Sequence, residues 1–231
     1  MSILKALQRV SNQLVAGFNH TANQMASEKR LVSAFRTRVE LVILILDCSI
    51  SMDDDDYPPS RLRAAIEAAC EYVETLAGQG TSADVGVIAF DHEAHTILTP
   101  TAIASVKIIT RAIRSICIRG GTDIAEGLSE AMDMLVQHKN RNTPCQIILL
   151  TDGHGGEPLN VADTLKGQYP LTLDVIGIGG SRTEVNEALL KKVATTDANG
   201  VNHYRFIDDT RTLKQHYHQL ATGLAWKGNH R

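Results

Sequence analysis

Hydrophobic residues in this chain gather into short continuous runs, separated by longer stretches with helical spacing. The run LVILIL at 41–46 leads directly into Asp47. An apolar run of that length with polar ends is the pattern of a strand buried on both faces of a parallel sheet. Similar runs predict strands at 40–46, 84–90, 94–98, 145–151, 172–178 and 203–207, with helices at 60–77, 102–117, 123–138, 158–167, 184–195 and 210–223. Strands that alternate with helices imply βαβ units, with helices covering both sheet faces. DVGVIAF and HTILT are separated by only a few residues around Asp91 to Ala94, so they read as a hairpin whose second strand is an antiparallel edge. The fold class expected is α/β: a three-layer α/β/α sandwich, doubly wound, its mostly parallel sheet carrying one antiparallel edge strand.

The pattern divides the chain into a helical extension at 1–37, the α/β domain at 38–223 and a tail at 224–231. In the extension, Ile3, Leu7, Val10, Leu14, Phe18 and Met25 approximate one stripe. Such a stripe either folds back onto the domain or serves as a docking or dimerisation helix. Asn19, Gly17 and Ser27 argue against a long regular coiled coil.

Composition narrows the class. At 231 residues, 43% hydrophobic and 21% charged, the chain has the make-up of an ordinary globular protein. A net charge of −3 offers no basic footprint for nucleic acid. No apolar run is long enough to cross a bilayer, and MSILKALQRVSNQ lacks the form of a signal peptide. Cys48, Cys70, Cys117 and Cys145 sit in or beside predicted core elements without a C-x-x-C pair, which reads as reduced, buried thiols and a cytoplasmic setting.

The candidate chemistry is at strand ends. Asp47, Ser49 and Ser51 alternate beyond the first run, where open α/β sheets place ligands. A carboxylate and two hydroxyls are oxygen donors of the kind hard divalent cations take. The plainer reading is a hydroxyl-rich turn that caps the next helix. Thr122 follows Gly120-Gly121 at the start of a predicted helix, and QIILLTDGHGG ends another run at Thr151, Asp152 and Gly153.

Taken in order, Asp-x-Ser-x-Ser, a Thr after paired glycines, and Thr-Asp-Gly resemble the von Willebrand factor A domain, a Rossmann-like fold. The resemblance covers roughly residues 38 to 222. It implies a metal-ion-dependent adhesion site with Asp47, Ser49, Ser51 and Thr122 as ligands and Asp152 bound directly or through water. The ion implied is Mg²⁺, or Mn²⁺ or Ca²⁺. Ile50 stands where the family commonly has glycine, and a β-branched residue resists positive φ.

The acid run Asp53-Asp54-Asp55-Asp56 has two readings. Four like charges repel, which suits a solvated loop ended by Tyr57-Pro58-Pro59 before Ser60 caps a helix. DCSISMDDD also resembles the integrin β pattern, which would make Asp54 and Asp55 holders of a second ion. In either reading the carboxylates make the rim negative. His92-Glu93-Ala94-His95 is too short for H-E-x-x-H, Asp91 and Glu93 read as turn acids, and His216 and His218 read as surface residues. His154, beside Asp152, is either a solvated loop residue or part of the rim. No G-x-x-x-x-G-K-[ST] is present.

An ion held by two carboxylates and hydroxyls can still take an anionic oxygen at an open position. Hydrolysis would need a positioned base or nucleophile, and the motif supplies none. The expectation is therefore a non-enzymatic, metal-dependent protein-interaction module whose partner supplies an Asp or Glu. By family resemblance it would act with AAA+ ATPases or with kinase–phosphatase pairs of the tellurium-resistance-associated type. The alternative is a metal-dependent phosphoesterase on the same fold. Neither nucleic acid nor membrane is expected as a partner.

Overall fold

The computed structural model describes residues 39–138 and 143–223. The predicted extension at 1–37 and the tail at 224–231 lie outside the described residues.

Among the described residues, six strands form one sheet. They are β1 (Leu41–Asp47), β2 (Asp84–Phe90), β3 (Ala94–Ala102), β4 (Cys145–Thr151), β5 (Leu171–Ile178) and β6 (Tyr204–Ile207), in the order β3-β2-β1-β4-β5-β6. Every pairing is parallel except β2 with β3, which is antiparallel. The order reverses at β1, the innermost early strand, so the chain winds outward first through β2 and β3 and then through β4, β5 and β6. This is the doubly wound, mostly parallel α/β sheet with one antiparallel edge that the hydrophobic pattern predicts.

Alternation along β1 builds two cores. Val42, Leu44 and Leu46 face α1 (Arg61–Gly78), α2 (Val106–Arg114) and α6 (Thr210–Thr222). Leu41, Ile43 and Ile45 face α3 (Ile124–Gln137), α4 (Leu159–Gln168) and α5 (Glu187–Val193). All six β1 aliphatics are at most 1% exposed, which explains why this strand reads as a continuous apolar run and not as an alternating one. Helix α1 presents Ala64, Ala65, Ala68 and Ala69 to the sheet, and small residues let the two backbones approach closely. On the other face, Gly127 of α3 lies so near Phe90 and Ile45 that a Cβ there would come within 3.0 Å of the Phe90 ring.

Local capping sets the helix starts. Ser60 accepts from the Arg63 amide, Asp123 from Ala125, and Asp209 from Thr212. An acceptor at the first turn satisfies amides that have no partner inside the helix. Helix α6 ends on Gly223 at φ +63, the left-handed closing position that glycine takes without steric cost.

Several sequence expectations are corrected. The edge strand β3 extends to Ala102 instead of stopping at 98, because it stays paired with β2 as far as Asp84 and Ala102. Helix α2 consequently starts only at Val106. Helix α5 is shorter than 184–195, because 182–184 form a separate 3-10 turn. Cys48, Cys70 and Cys145 are buried free thiols, whereas Cys117 is exposed in the loop beyond α2.

His216 is also not a simple surface residue. Its Nδ1 is buried without a hydrogen-bond partner, and burial followed by the nearby Arg205 charge pushes its pKa down to about 4. The unfolded chain therefore takes up this proton near pH 6.5, well before the folded domain does. The neutral imidazole favours folding above that pH, and the benefit is lost as pH falls towards 4. His216→Phe should remove the dependence: between pH 7 and pH 4 the wild type should lose roughly 2–3 kcal/mol more stability than the variant, as read by urea unfolding. Parallel pH profiles for the two proteins would contradict this placement.

Candidate metal site

The parallel register carries the ends of β1 and β4 to the same edge of the sheet. Leu46 pairs with Leu150, so Asp47 and the Thr151-Asp152 pair emerge side by side. Both carboxylates are buried, Asp47 at 0% and Asp152 at 1% exposure. Asp47 Oδ1 accepts the Ser49 amide at 2.9 Å and Oδ2 accepts the Thr151 hydroxyl at 2.7 Å. The Ser49 and Ser51 hydroxyls are 3.3 Å apart, and Ser51 Oγ donates to Asp152 Oδ2. Ser49, Ser51 and Asp152 thus form one chain of oxygens, and Asp47 joins it through the Ser49 amide.

Thr122 comes from the loop that precedes α3, and that loop is fastened to the first one. The Arg119 amide donates to Cys48 O at 2.8 Å, and the Ile50 amide donates to Gly120 O at 3.0 Å. Asp91, a turn acid in the sequence reading, is the brace behind them. Its carboxylate accepts from Glu93 N and Gly120 N, both at 2.9 Å, and its backbone carbonyl accepts from Asp123 N at 2.6 Å. Burial alone would raise the Asp91 pKa, but these two N–H groups outweigh it and hold the carboxyl below the usual range. From the other side, Gly155 at φ +101 presses on Thr122 so closely that a Cβ would collide with the Thr122 carbonyl. The loop after β4 therefore requires glycine at this position, for conformation and for space.

Ile50 fits without strain. It opens a 3-10 turn at Ile50–Asp53, and no non-glycine residue among those described has positive φ. This loop does not use the flexibility of the glycine common at that position. Ile50 is instead 66% exposed at the rim.

The electrostatics are unbalanced. Desolvation, followed by repulsion from Asp152, pushes the Asp47 pKa up to about 7. Asp152 Oδ1 is buried with no hydrogen-bond partner. The nearest cation to Asp152 is Arg61, whose Nη1 is 3.4 Å from Oδ2. An orphaned carboxylate oxygen, a second buried carboxylate and two adjacent hydroxyls form an all-oxygen donor set, and such a set fits a hard divalent cation. His154 is turned away, its Nε2 bonded to the Glu184 carbonyl.

A parallel α/β sheet with an acidic and hydroxyl cluster at its carboxyl edge defines the class. Residues 42–154 match the family model of the von Willebrand factor type A domain. Among its relatives, a UPF0353 protein of Mycobacterium sp. (strain KMS) is 28% identical over 206 residues, covering 78% of this chain and 60% of that protein. A UPF0353 protein of Nocardia farcinica is 30% identical over 118 residues, covering 48% of this chain and 34% of that protein. The chain spans about half the length of the curated relatives it matches. Among solved structures, BatB from Bacteroides thetaiotaomicron superposes with a TM-score of 0.63 at 23% identity, over 80% of this chain and 98% of that one. The vWF domain of the pilus tip protein Mfa5 from Porphyromonas gingivalis gives 0.66 at 16% identity, over 84% and 99%.

Arg61 is the residue that sequence reasoning missed at this site. It lies 91 positions before Asp152, inside an alanine-rich helix start, and nothing local in that pattern predicts the contact.

Burial of Asp47 also predicts a pH effect. Its folded pKa lies above the unfolded value of 3.8, so its contribution to stability is present at low pH and lost as pH rises through about 7. In EDTA, the wild type should therefore lose thermal stability relative to Asp47→Asn between pH 4 and pH 8. Mg²⁺ should close that gap by stabilising the wild type alone. An Mg²⁺-induced shift of equal size in both proteins would contradict the assignment.

Proposed function

We propose that this domain is a divalent-metal-dependent protein-interaction module. Asp47, Ser49, Ser51, Thr122 and Asp152 would hold the ion, Mg²⁺ or Mn²⁺, and an Asp or Glu of a partner protein would complete the site. The observation that carries this reading is the buried Asp152 Oδ1 without a partner, beside an Asp47 carboxyl that burial and repulsion have destabilised as an anion. Bound there, the ion would supply countercharge and an electrophilic position open to an oxygen anion.

The residues on this edge favour binding over chemistry. The hydroxyls of Ser51 and Thr151 donate to Asp152 and Asp47, and in the metal reading these groups are committed to the ion and to the carboxylates that hold it. His154 is occupied by a backbone carbonyl. Asp91 is taken up by the Glu93 and Gly120 amides. Exposed Ile50 adds apolar surface at the rim, where a partner's acidic residue would approach. Structural neighbours such as the pilus adhesin SpaC from Lactobacillus rhamnosus GG give the fold a precedent in contact with other molecules. AAA+ ATPases or kinase–phosphatase pairs remain the partner systems implied by family resemblance.

Calorimetry with Mn²⁺ tests the site. Asp47→Ala should abolish specific binding, while Thr122→Ala, which removes a neutral oxygen, should weaken it by roughly tenfold. Unchanged affinity in Asp47→Ala would sink the site. Turnover of p-nitrophenyl phosphate by the wild type with Mn²⁺, lost in Asp47→Ala, would replace the binding role with a hydrolytic one.

A further inference from the structure

Arg61 stands where a cation would be expected, yet it belongs to the chain. Its side chain is 6% exposed and four carboxylates surround it. Nε lies 2.9 Å from Asp56 Oδ1 and Nη2 lies 2.5 Å from Asp56 Oδ2, a two-pronged contact. Nη2 also lies 3.1 Å from Glu184 Oε2 and 3.5 Å from Asp54 Oδ2, and Nη1 lies 3.4 Å from Asp152 Oδ2. Asp56 Oδ2 accepts the Gly180 amide at 2.7 Å as well, which ties the acid run to the loop after β5.

We propose that Arg61 is the resident cation of the acid run: its guanidinium takes the place that a second divalent ion would need, and it positions Asp152 through Oδ2 so that Oδ1 is left for the single metal. This inference rests on the metal reading of Asp47 and Asp152. Guanidinium suits the role because it keeps its charge when buried, is weakly hydrated and matches carboxylates with a rigid fork. A divalent ion at the same spot would have to displace it. That displacement would leave an unpaired buried charge, which is strongly unfavourable.

The integrin-like alternative and this one make opposite use of Asp54. In the first, Asp54 is a ligand of an adjacent ion. Here it is an outlying partner of Arg61, and its half-exposed carboxylate is expendable. Asp56, which is outside the integrin-like pair, makes the closest contact. The acid run is therefore no plain solvated loop, since its last member is pinned from two sides.

Mn²⁺ titration followed by electron paramagnetic resonance counts bound ions directly. The wild type should bind one. Arg61→Gln, which exposes Asp54, Asp56, Asp152 and Glu184 to one another without a countercharge, should bind two. Arg61→Lys, which restores the charge, should return to one. Asp54→Asn should still bind one, and because Asp54 is a surface residue this variant decides the question even if Arg61→Gln fails to fold. Two ions in the wild type with one lost in Asp54→Asn would overturn the proposal, as would a single ion in folded Arg61→Gln. No ion in the wild type would overturn the metal reading itself, and this inference with it.

Discussion

Two carboxylates with almost no access to water set the terms for the functional edge of this domain. Asp47 and Asp152 emerge from neighbouring parallel strands, and burial removes the solvent that would separate their charges. Placing like charges together in a low-dielectric site is costly unless a cation or a proton intervenes. The chain supplies part of the answer itself: two hydroxyls and an amide bond Asp47 and Asp152 directly, and Arg61 approaches one oxygen of Asp152. The other oxygen of Asp152 is left without a partner. A divalent ion, as proposed, would offset this imbalance.

The rest of the edge serves that cluster. Asp91, just beyond β2, holds the loop before α3 through the Gly120 and Asp123 amides, and the Arg119 and Ile50 amides fasten that loop to the one after β1. The glycines after Asp152 let the third loop lie directly on Thr122 and Asp123. Far from the loops, the two hydrophobic layers on either face of β1 hold the strand ends in register. A domain-wide core thus sets positions at the rim to within a hydrogen bond, which is what a coordination site demands.

Much of this was legible in the sequence because it depends on periodicity. The continuous run 41–46 announced a central parallel strand, and polar residues at its carboxyl end announced where chemistry would gather. Terminal residues of elements were harder to read, since pairing with β2 holds β3 extended as far as Ala102 whatever its local preference. Ile50 makes its loop less permissive than glycine would, yet the loop turns without positive φ. Arg61, His216 and Asp91 could not be placed from spacing alone. Each owes its role to partners distant in sequence, and neither helical nor strand periodicity encodes such contacts. The acid run shows the same limit: four identical residues in sequence become, in space, one pinned carboxylate, one outlying partner and two others facing outward.

The central claim is that the Asp47–Asp152 pair is completed by one divalent ion. Anomalous diffraction from crystals grown with Mn²⁺ tests it most directly. The account predicts a single strong peak enclosed by the oxygens of Asp47, Ser49, Ser51, Thr122 and Asp152. Fully occupied Mn²⁺ elsewhere in the crystal, with none between these two carboxylates, would contradict it.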